Sequence, residues 1–388
     1  MDMTYDCVSL FSGAMGLDLG LERVGIRTVL CAESDPTCRQ TIALNRPKIK
    51  VLEDVREVGS GTANRNPFLV AAGFPCQPFS SAGKRASFSD PRGLLAFEFG
   101  RVVKDLQPRF FVAENVKGLA SATVPWAEGK TALQEILDNF ESLGYKTVHG
   151  LLMAANYGVP QFRERIIIIG SRDGEDVFLP FPTHFPRHQS TESRWKTLRD
   201  AIWLMKYQRP CGDEFAKFPE SRLKFLRLVP PGGNWKTLPR EMQKQAMGGA
   251  FESEGGKMGF FRRLSWDAPC PTLTTCPTQK ATMLCHPEED RPLSVSEYAA
   301  IQQFPKEPPD APHFDHSEEG WRFVGTMADK YRQIGNAVPV GLGQAIGLAI
   351  LSASVGYRGV ESKRFGPRSQ VRPSLSSEAP TPASVPWS

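Results

Sequence analysis

The chain is expected to fold as an α/β protein, a parallel sheet with helices on both faces, joined to a smaller and irregular second domain. Three observations lead there. Short apolar runs alternate with helical patterns through the first 172 residues, as parallel strands and their crossover helices require. Ile166–Ile169 is an unbroken β-branched run, which suits a strand buried on both faces. From about Asp173, Pro, Gly, Arg and aromatic residues become frequent and the alternation fades.

Taken in order, the strands are expected at Cys7–Phe11, Thr28–Ala32, Phe68–Ala72, Phe110–Ala113, Thr147–Met153 and Ile166–Gly170. Helices are expected at Gly16–Val24, Pro36–Leu44, Gly93–Leu106 and Lys130–Leu143. Helical patterning returns after Leu293, with Ser294 or Ser296 as its cap and Glu297 in its first turn. A last helix runs from about Pro339 to Leu351. The domains then read as 1–172, a second domain over 173–286, a return to the first over 287–355, and a Ser/Pro/Arg-rich tail over 356–388 that reads as disordered.

Composition narrows the function classes. The 388 residues can bury a large core, and no apolar run has the length of a membrane span. Eight scattered cysteines without a CxxC pair point to reduced thiols and a cytoplasmic setting. The net charge of +5 is concentrated between Arg172 and His286, where eighteen Lys/Arg face twelve Asp/Glu, a modest pointer to a polyanion. The six histidines form no metal pattern, and Cys270, Cys276, Cys285 and His286 match no standard zinc spacing, so no metal is expected.

Chemistry is concentrated in GFPCQPFS, Gly73–Ser80, where Cys76 follows a buried strand on a loop stiffened by Pro75 and Pro78. The C-terminal end of a strand is where an open α/β sheet presents its site. A lone cysteine after a strand is more often simply buried. Here it has ordered companions: SLFSGAMGLDLGLE (Ser9–Glu22), AENV (Ala113–Val116), QFRER (Gln161–Arg165), RPLSVSEYAAIQQFP (Arg291–Pro305) and QIGNAVP (Gln333–Pro339). Glycines after the first strand let a ligand approach a helix N-terminus, and Glu33 after the second strand can hold ribose hydroxyls. A nicotinamide site would share those two features.

This ordered set resembles the DNA cytosine-5 methyltransferase family over about residues 5 to 351. The resemblance implies a Rossmann-like S-adenosylmethionine-dependent methyltransferase sheet with 173–286 as its target-recognition domain. It implies S-adenosylmethionine as cofactor, held by Phe11, Gly13 and Gly16 at the methionine end, Glu33 at the ribose, Asp54 at the adenine amino group, and Asn336 and Ala337 closing the pocket. Met15 stands where the family usually has glycine, and Ser34 where some members place an aromatic residue.

The implied reaction attacks cytosine carbon 6 with a thiolate, so that carbon 5 can accept a methyl group. Cys76 is the nucleophile. Glu114 must carry or share a proton to pair with ring nitrogen 3. Asn115 would orient the loop, and Arg165 would donate to the cytosine carbonyl. Arg163 and Gln161 would touch the sugar-phosphate or brace the loop. The base must leave the duplex, and Ser80–Leu95 is the implied closing loop, with Ser80, Lys84 and Arg85 toward the DNA. Thr272 and Leu273 match a short family signature near the end of the recognition region and, by that resemblance, are expected to bind DNA. Arg222, Lys224, Arg262, Arg263 and Lys280 are candidates for phosphates or guanine edges, and Gln243, Gln245 and Gln279 for adenine.

The expected partner is double-stranded DNA, with a restriction enzyme as a functional companion or none, and the protein is expected to be a monomer. Three competing readings are an RNA substrate, a silent DNA binder and a dinucleotide oxidoreductase. A silent binder should have lost Cys76, Glu114 or Arg165, all present here; an oxidoreductase leaves GFPCQ and GNAVP unexplained.

Overall fold

The computed structural model describes residues 5–74, 95–124, 129–207, 213–253, 257–305 and 320–356. Strands β1 (Tyr5–Leu10), β2 (Ile26–Ala32), β3 (Lys50–Leu52), β4 (Leu69–Ala72), β5 (Phe110–Val116), β6 (Lys146–Met153) and β8 (Glu164–Ser171) form one sheet in the order β3-β2-β1-β4-β5-β8-β6. The short β7 (Gln161–Phe162) pairs elsewhere, in parallel with β9 (Cys270–Pro271). The chain winds outward in one direction through β2 and β3 and in the other through β4 and β5. The reversal lies between β1 and β4, where ligands settle in sheets of this kind.

One expectation needs correction. β8 runs antiparallel to both of its neighbours, so the sheet is mixed rather than parallel. The ten residues between Met153 and Glu164 explain it. A parallel return needs a crossover of a dozen residues or more, and this connection holds only one turn of 3-10 helix and β7.

Helices cover both faces. On one side α3 (Leu95–Leu106) and α4 (Ala132–Ser142) bury Phe99, Val102, Val103, Leu137 and Phe140 against Phe111, Val70 and Ile168. Phe111 and Phe140 pack with ring centres 4.1 Å apart. On the other side α1 (Gly16–Glu22) and α10 (Val340–Ser354) bury Leu17, Leu21, Ile346 and Ile350 against Cys7, Leu69 and Ile167. These two helices touch through backbone. A Cβ added at Gly20 would lie 2.3 Å from the Val340 carbonyl oxygen, so only glycine permits the contact.

Helix α2 (Pro36–Asn45) is capped by Asp35, whose carboxylate accepts from the Thr37 and Cys38 amides. The C-terminal return forms α8 (Val295–Ile301) and α9 (Met327–Asn336), the latter absent from the elements the sequence suggested. Ser294 caps α8 through a capping box with Glu297. α9 and α10 together span Met327–Ser354, a stretch long and apolar enough by composition to cross a membrane. Its most apolar window is 67 % buried inside the protein, as a core element should be. The second region is not wholly irregular. It contains α5 (Leu198–Ile202), α6 (Glu220–Leu226) and α7 (Arg240–Met247). A small core of Phe218, Phe225, Trp235, Leu238, Met247, Phe261 and Met283 belongs to this region alone. Residues Leu198, Ile202 and Met205 instead join the core of α8 and α9.

Candidate active site and cofactor cleft

β5 and β8 bring the first group of residues together. Their register sets Val116 opposite Arg165 and Glu114 opposite Ile167, so Glu114 and Arg165 are diagonal neighbours on one face. Arg165 Nε lies 2.7 Å from Glu114 Oε1, and both side chains are largely buried. That N–H is not aligned as a hydrogen bond, and Oε1 has no hydrogen-bond partner among the described residues. Oε1 is enclosed beside the Arg165 guanidinium, a buried carboxyl oxygen with unused accepting capacity. Arg165 Nη1 also donates to the Glu164 carbonyl at 2.7 Å, which fixes the guanidinium plane.

Asn115 is buried and holds the neighbouring strand end. Its Nδ2 donates to the Phe74 carbonyl at 3.2 Å, and its Oδ1 accepts from the Val116 amide at 2.8 Å. Phe74 is the last described residue before Cys76, so Asn115 anchors the root of that loop. Cys76, Ser80, Lys84 and Arg85 lie outside the described residues.

Four expected site residues turn out to be internal ties. Arg163 is 1 % exposed and donates to the carbonyls of Leu273 (3.1 Å), Gly335 (2.9 Å) and Asn336 (3.3 Å). It braces these three carbonyls from the interior. Gln161 is fully buried between the Gln302 side chain (3.0 Å) and the Leu273 amide (3.0 Å), so it has no surface to offer DNA. Leu273 is buried as well. Thr272 remains partly accessible, although its hydroxyl donates to the Phe162 carbonyl at 2.6 Å. The physical reason is the β7–β9 pairing, which carries PTLTT into the interior beside QFRER. Arg163 and Arg165 are two residues apart, but Arg163 lies between β7 and β8 while Arg165 lies within β8, so strand alternation does not say which of the two faces out.

A cleft of about 420 Å³ opens beside Arg165, lined by Val116, Lys117, Gly118, Met153, Phe162, Glu164 and Thr272. Lys117, which the sequence did not single out, pairs with Glu164 at 3.1 Å across its mouth. In the second region Arg263 is also an internal tie. It is 5 % exposed and donates to the Leu226, Val229, His286 and Glu289 carbonyls and to Asp290. Arg262 is partly buried and donates to the Met283 carbonyl at 3.1 Å, and Arg222 donates to the Thr278 carbonyl. Gln243 donates to two backbone carbonyls, whereas Gln245, Gln279 and Lys280 are exposed.

The cofactor end gathers at the ends of β1, β2 and β3. Phe11, Gly13 and Met15 all adopt left-handed backbone, with φ of 56°, 55° and 63°. Met15 is fully buried in a conformation that costs a non-glycine residue about 1 kcal/mol or more. Glu33 spans the turn, accepting from the Gly13 amide at 2.7 Å and the Asp35 amide at 2.8 Å. Burial raises its pKa, against the lowering effect of those two hydrogen bonds. A Cβ on Gly13 would meet no atom within 4 Å, so the turn opens onto free space. Gly16 serves differently from expectation. A Cβ there would lie 2.2 Å from the Val338 carbonyl oxygen, which makes it a packing glycine that draws the Asn336–Val338 segment to the turn.

Asn336 is exposed at the end of α9, and Ala337 is held by Gln302, whose amide donates to the Ala337 carbonyl at 3.1 Å. Asp54 caps a 3-10 turn and takes both Nε contacts of Arg56, at 3.0 and 2.9 Å. The hydrogen bonds from Arg56 hold its carboxyl below the usual range. An acidic acceptor, an open turn and an exposed amide side chain suit the hydroxyls and amino acid end of a nucleoside-linked amino acid. Among the described residues no group of three or more His, Cys, Asp or Glu could hold a metal.

Comparison with known proteins agrees with this arrangement. Residues 5–352 match the family model described as C-5 cytosine-specific DNA methylase. The chain is 42 % identical over 357 residues to the type II methyltransferase M.Eco47II of Escherichia coli, covering 89 % of this chain and 79 % of that protein. It is 39 % identical over 354 residues to M.Sau96I of Staphylococcus aureus, covering 89 % and 76 %. Among solved structures it superposes on a Spodoptera frugiperda DNMT2 variant with a TM-score of 0.55 at 17 % identity, covering 89 % of this chain and 99 % of that one. A similar fold match, with a TM-score of 0.54 at 16 % identity, is found with the Schizosaccharomyces pombe Dnmt2 methyltransferase, over 90 % of this chain and 99 % of that one.

Proposed function

The chain belongs to the C-5 cytosine-specific DNA methylase family, and from that premise we propose a mechanism in which a cytosine flipped from double-stranded DNA is held between Glu114, Arg165 and the thiolate of Cys76. The enzyme is a DNA cytosine-5 methyltransferase, and its cofactor is S-adenosylmethionine. The single observation that carries the mechanism is the Glu114–Arg165 pair at the end of β5 and β8, tied by Asn115 to the root of the Cys76 loop.

In this mechanism Arg165 donates to the cytosine carbonyl and offers positive charge to the thiolate. Glu114, carrying or sharing a proton, donates to ring nitrogen 3 as Cys76 adds to carbon 6. Carbon 5 thereby becomes nucleophilic. Bound S-adenosylmethionine supplies an electrophilic methyl group, held by the Phe11–Gly13 turn, Glu33 and Asn336. A base or water then removes the carbon 5 proton, and the Cys76 sulfur leaves carbon 6.

The small separate core within residues 173–286 supports reading that segment as the target-recognition region. Exposed Gln245, Gln279 and Lys280 are better base or phosphate contacts than the buried Arg263. The relatives' type II naming supports a modification enzyme paired with a restriction endonuclease; a monomer acting in the cytoplasm is part of the proposal. The test is a duplex amplified with 5-fluorocytosine in place of cytosine, which has no carbon 5 proton to lose. With S-adenosylmethionine the protein should form a denaturation-resistant adduct, and Cys76→Ser should form none. An adduct that survives Cys76→Ser would refute the assigned nucleophile.

A further inference from the structure

Asp18 is a charged residue that no step above uses. It sits in the first turn of α1, 1 % exposed, with its side chain aimed into the apolar layer between that helix and the sheet. Thr28 of β2 donates to its Oδ1 at 2.8 Å, and the Ser9 side chain of β1 lies against the same carboxyl and favours its ionised form. The chain of contacts continues upward. Ser12 donates to Ser9 through its hydroxyl, at 2.9 Å to Ser9 Oγ and 3.2 Å to the Ser9 carbonyl. Ser12 lies inside the cofactor turn, between Phe11 and Gly13, both left-handed. With Met15 also left-handed, the stretch holds two non-glycine residues at positive φ, which persists only where its surroundings over-determine it. Two devices do so from below: Glu33 on the Gly13 amide, and the Asp18–Ser9–Ser12 chain.

We propose that Asp18 is a positioning residue for the cofactor turn, holding the Phe11–Gly13 backbone in its binding conformation through Ser9 and Ser12. The inference rests on the assignment of that turn to S-adenosylmethionine. Ionised, the carboxylate accepts from both hydroxyls, which fixes their orientation. Protonated, it must turn one oxygen into a donor, and the Ser9 hydroxyl loses its fixed direction.

Energetics separate this role from a stabilising one. Burial raises the Asp18 carboxyl to about 6, against the lowering effect of the Ser9 and Thr28 hydrogen bonds. A carboxyl raised in the fold contributes stability that is present below its unfolded value and lost as pH rises through about 6. The ionised form is therefore a burden on the fold at neutral pH. The groups facing Asp18 are the Cys7 thiol and Ser9 on β1, Thr28 and the Cys31 thiol on β2, and Glu22 on its own helix. Burial pushes both thiols up, and α10 contributes no titratable group. Among the described residues no cation lies there to explain a buried carboxylate.

The test is calorimetric binding of S-adenosylhomocysteine to the full chain, at pH 7.5 and 5.5, with thermal unfolding at each pH. Asp18→Asn should bind about tenfold more weakly at pH 7.5 while its Tm there is unchanged or raised. Wild-type affinity should fall from pH 7.5 to 5.5 by more than that of Asp18→Asn. Glu33 contributes equally to both proteins, so the difference isolates Asp18. Glu33→Ala is the control for the underlying assignment and should weaken binding severely. Wild-type affinity in Asp18→Asn beside a weakened Glu33→Ala would overturn the proposal alone. Wild-type affinity in Glu33→Ala would overturn the cofactor assignment and the proposal with it. If Asp18→Asn does not fold, Ser9→Ala cuts the same chain, and wild-type affinity in folded Ser9→Ala would overturn the role.

Discussion

The sheet mouth and the second region use arginine in opposite ways. At the start of β8, Arg165 lines a cleft and pairs with the buried Glu114 carboxyl. In the second region Arg263 points inward and collects four backbone carbonyls and Asp290. The first region has a regular sheet to satisfy its backbone, so its strand-end side chains are free for chemistry. The second has little regular structure, and its loop carbonyls must be satisfied by side chains. Arg163, buried where the two regions meet, does the same work for Leu273, Gly335 and Asn336. A basic residue in an irregular region is thus as often an internal tie as a DNA contact.

The comparison can be broken most sharply at Glu114. Glu114→Gln, which keeps the side chain's shape beside Arg165, should lower kcat by about 10²–10⁴ while duplex binding stays near wild type. A large loss of Tm with residual activity intact would make Glu114 structural. Arg263→Ala should do the reverse. Removing a buried charge that serves five acceptors is expected to cost about 3–5 kcal/mol of stability. A stable Arg263→Ala with weakened DNA binding would return that residue to the interface.

Asn115→Ala comes next. It should cost about 1–3 kcal/mol through the orphaned Phe74 carbonyl and lower kcat, leaving S-adenosylhomocysteine affinity unchanged. Unchanged kcat would show that the Cys76 loop is anchored elsewhere. The smallest effect concerns Asp35. Burial works against its ionisation, but hydrogen bonds from Thr37 and Arg332 hold it down to about 2. Its folded pKa lies below the unfolded value, so its contribution is present above the unfolded value and lost as pH falls from about 4 toward 2. Asp35→Asn should show a shallower decline of Tm over that range, and a parallel decline would remove the pair from the acid response.

Much of the sheet was legible because apolar runs and β-branched residues mark buried strands directly. The direction of β8 was not, since Ile166–Ile169 reads the same in either orientation and only connection length decides. Glu114, Asn115 and Arg165 were legible from short motifs at strand ends. Arg163 and Gln161 were legible as braces or DNA contacts but not as one of the two, because β7 and β9 are two residues each, too short for a pattern, and the same pairing buries Leu273. Gln302 lies in IQQFP, where nothing in the sequence marks its role. Its contacts to Gln161, Ile334 and Ala337 exist only in three dimensions. Gly16 was read as a cradle because a glycine needed for close packing and one needed for a ligand look alike in sequence.

The most direct measurement is base-resolution methylation mapping of unmethylated DNA incubated with the protein and S-adenosylmethionine. Full conversion of cytosine to 5-methylcytosine within one short sequence, lost in Cys76→Ala, is the predicted result. Absence of conversion by folded protein that binds the cofactor, or conversion that persists in Cys76→Ala, would contradict the account.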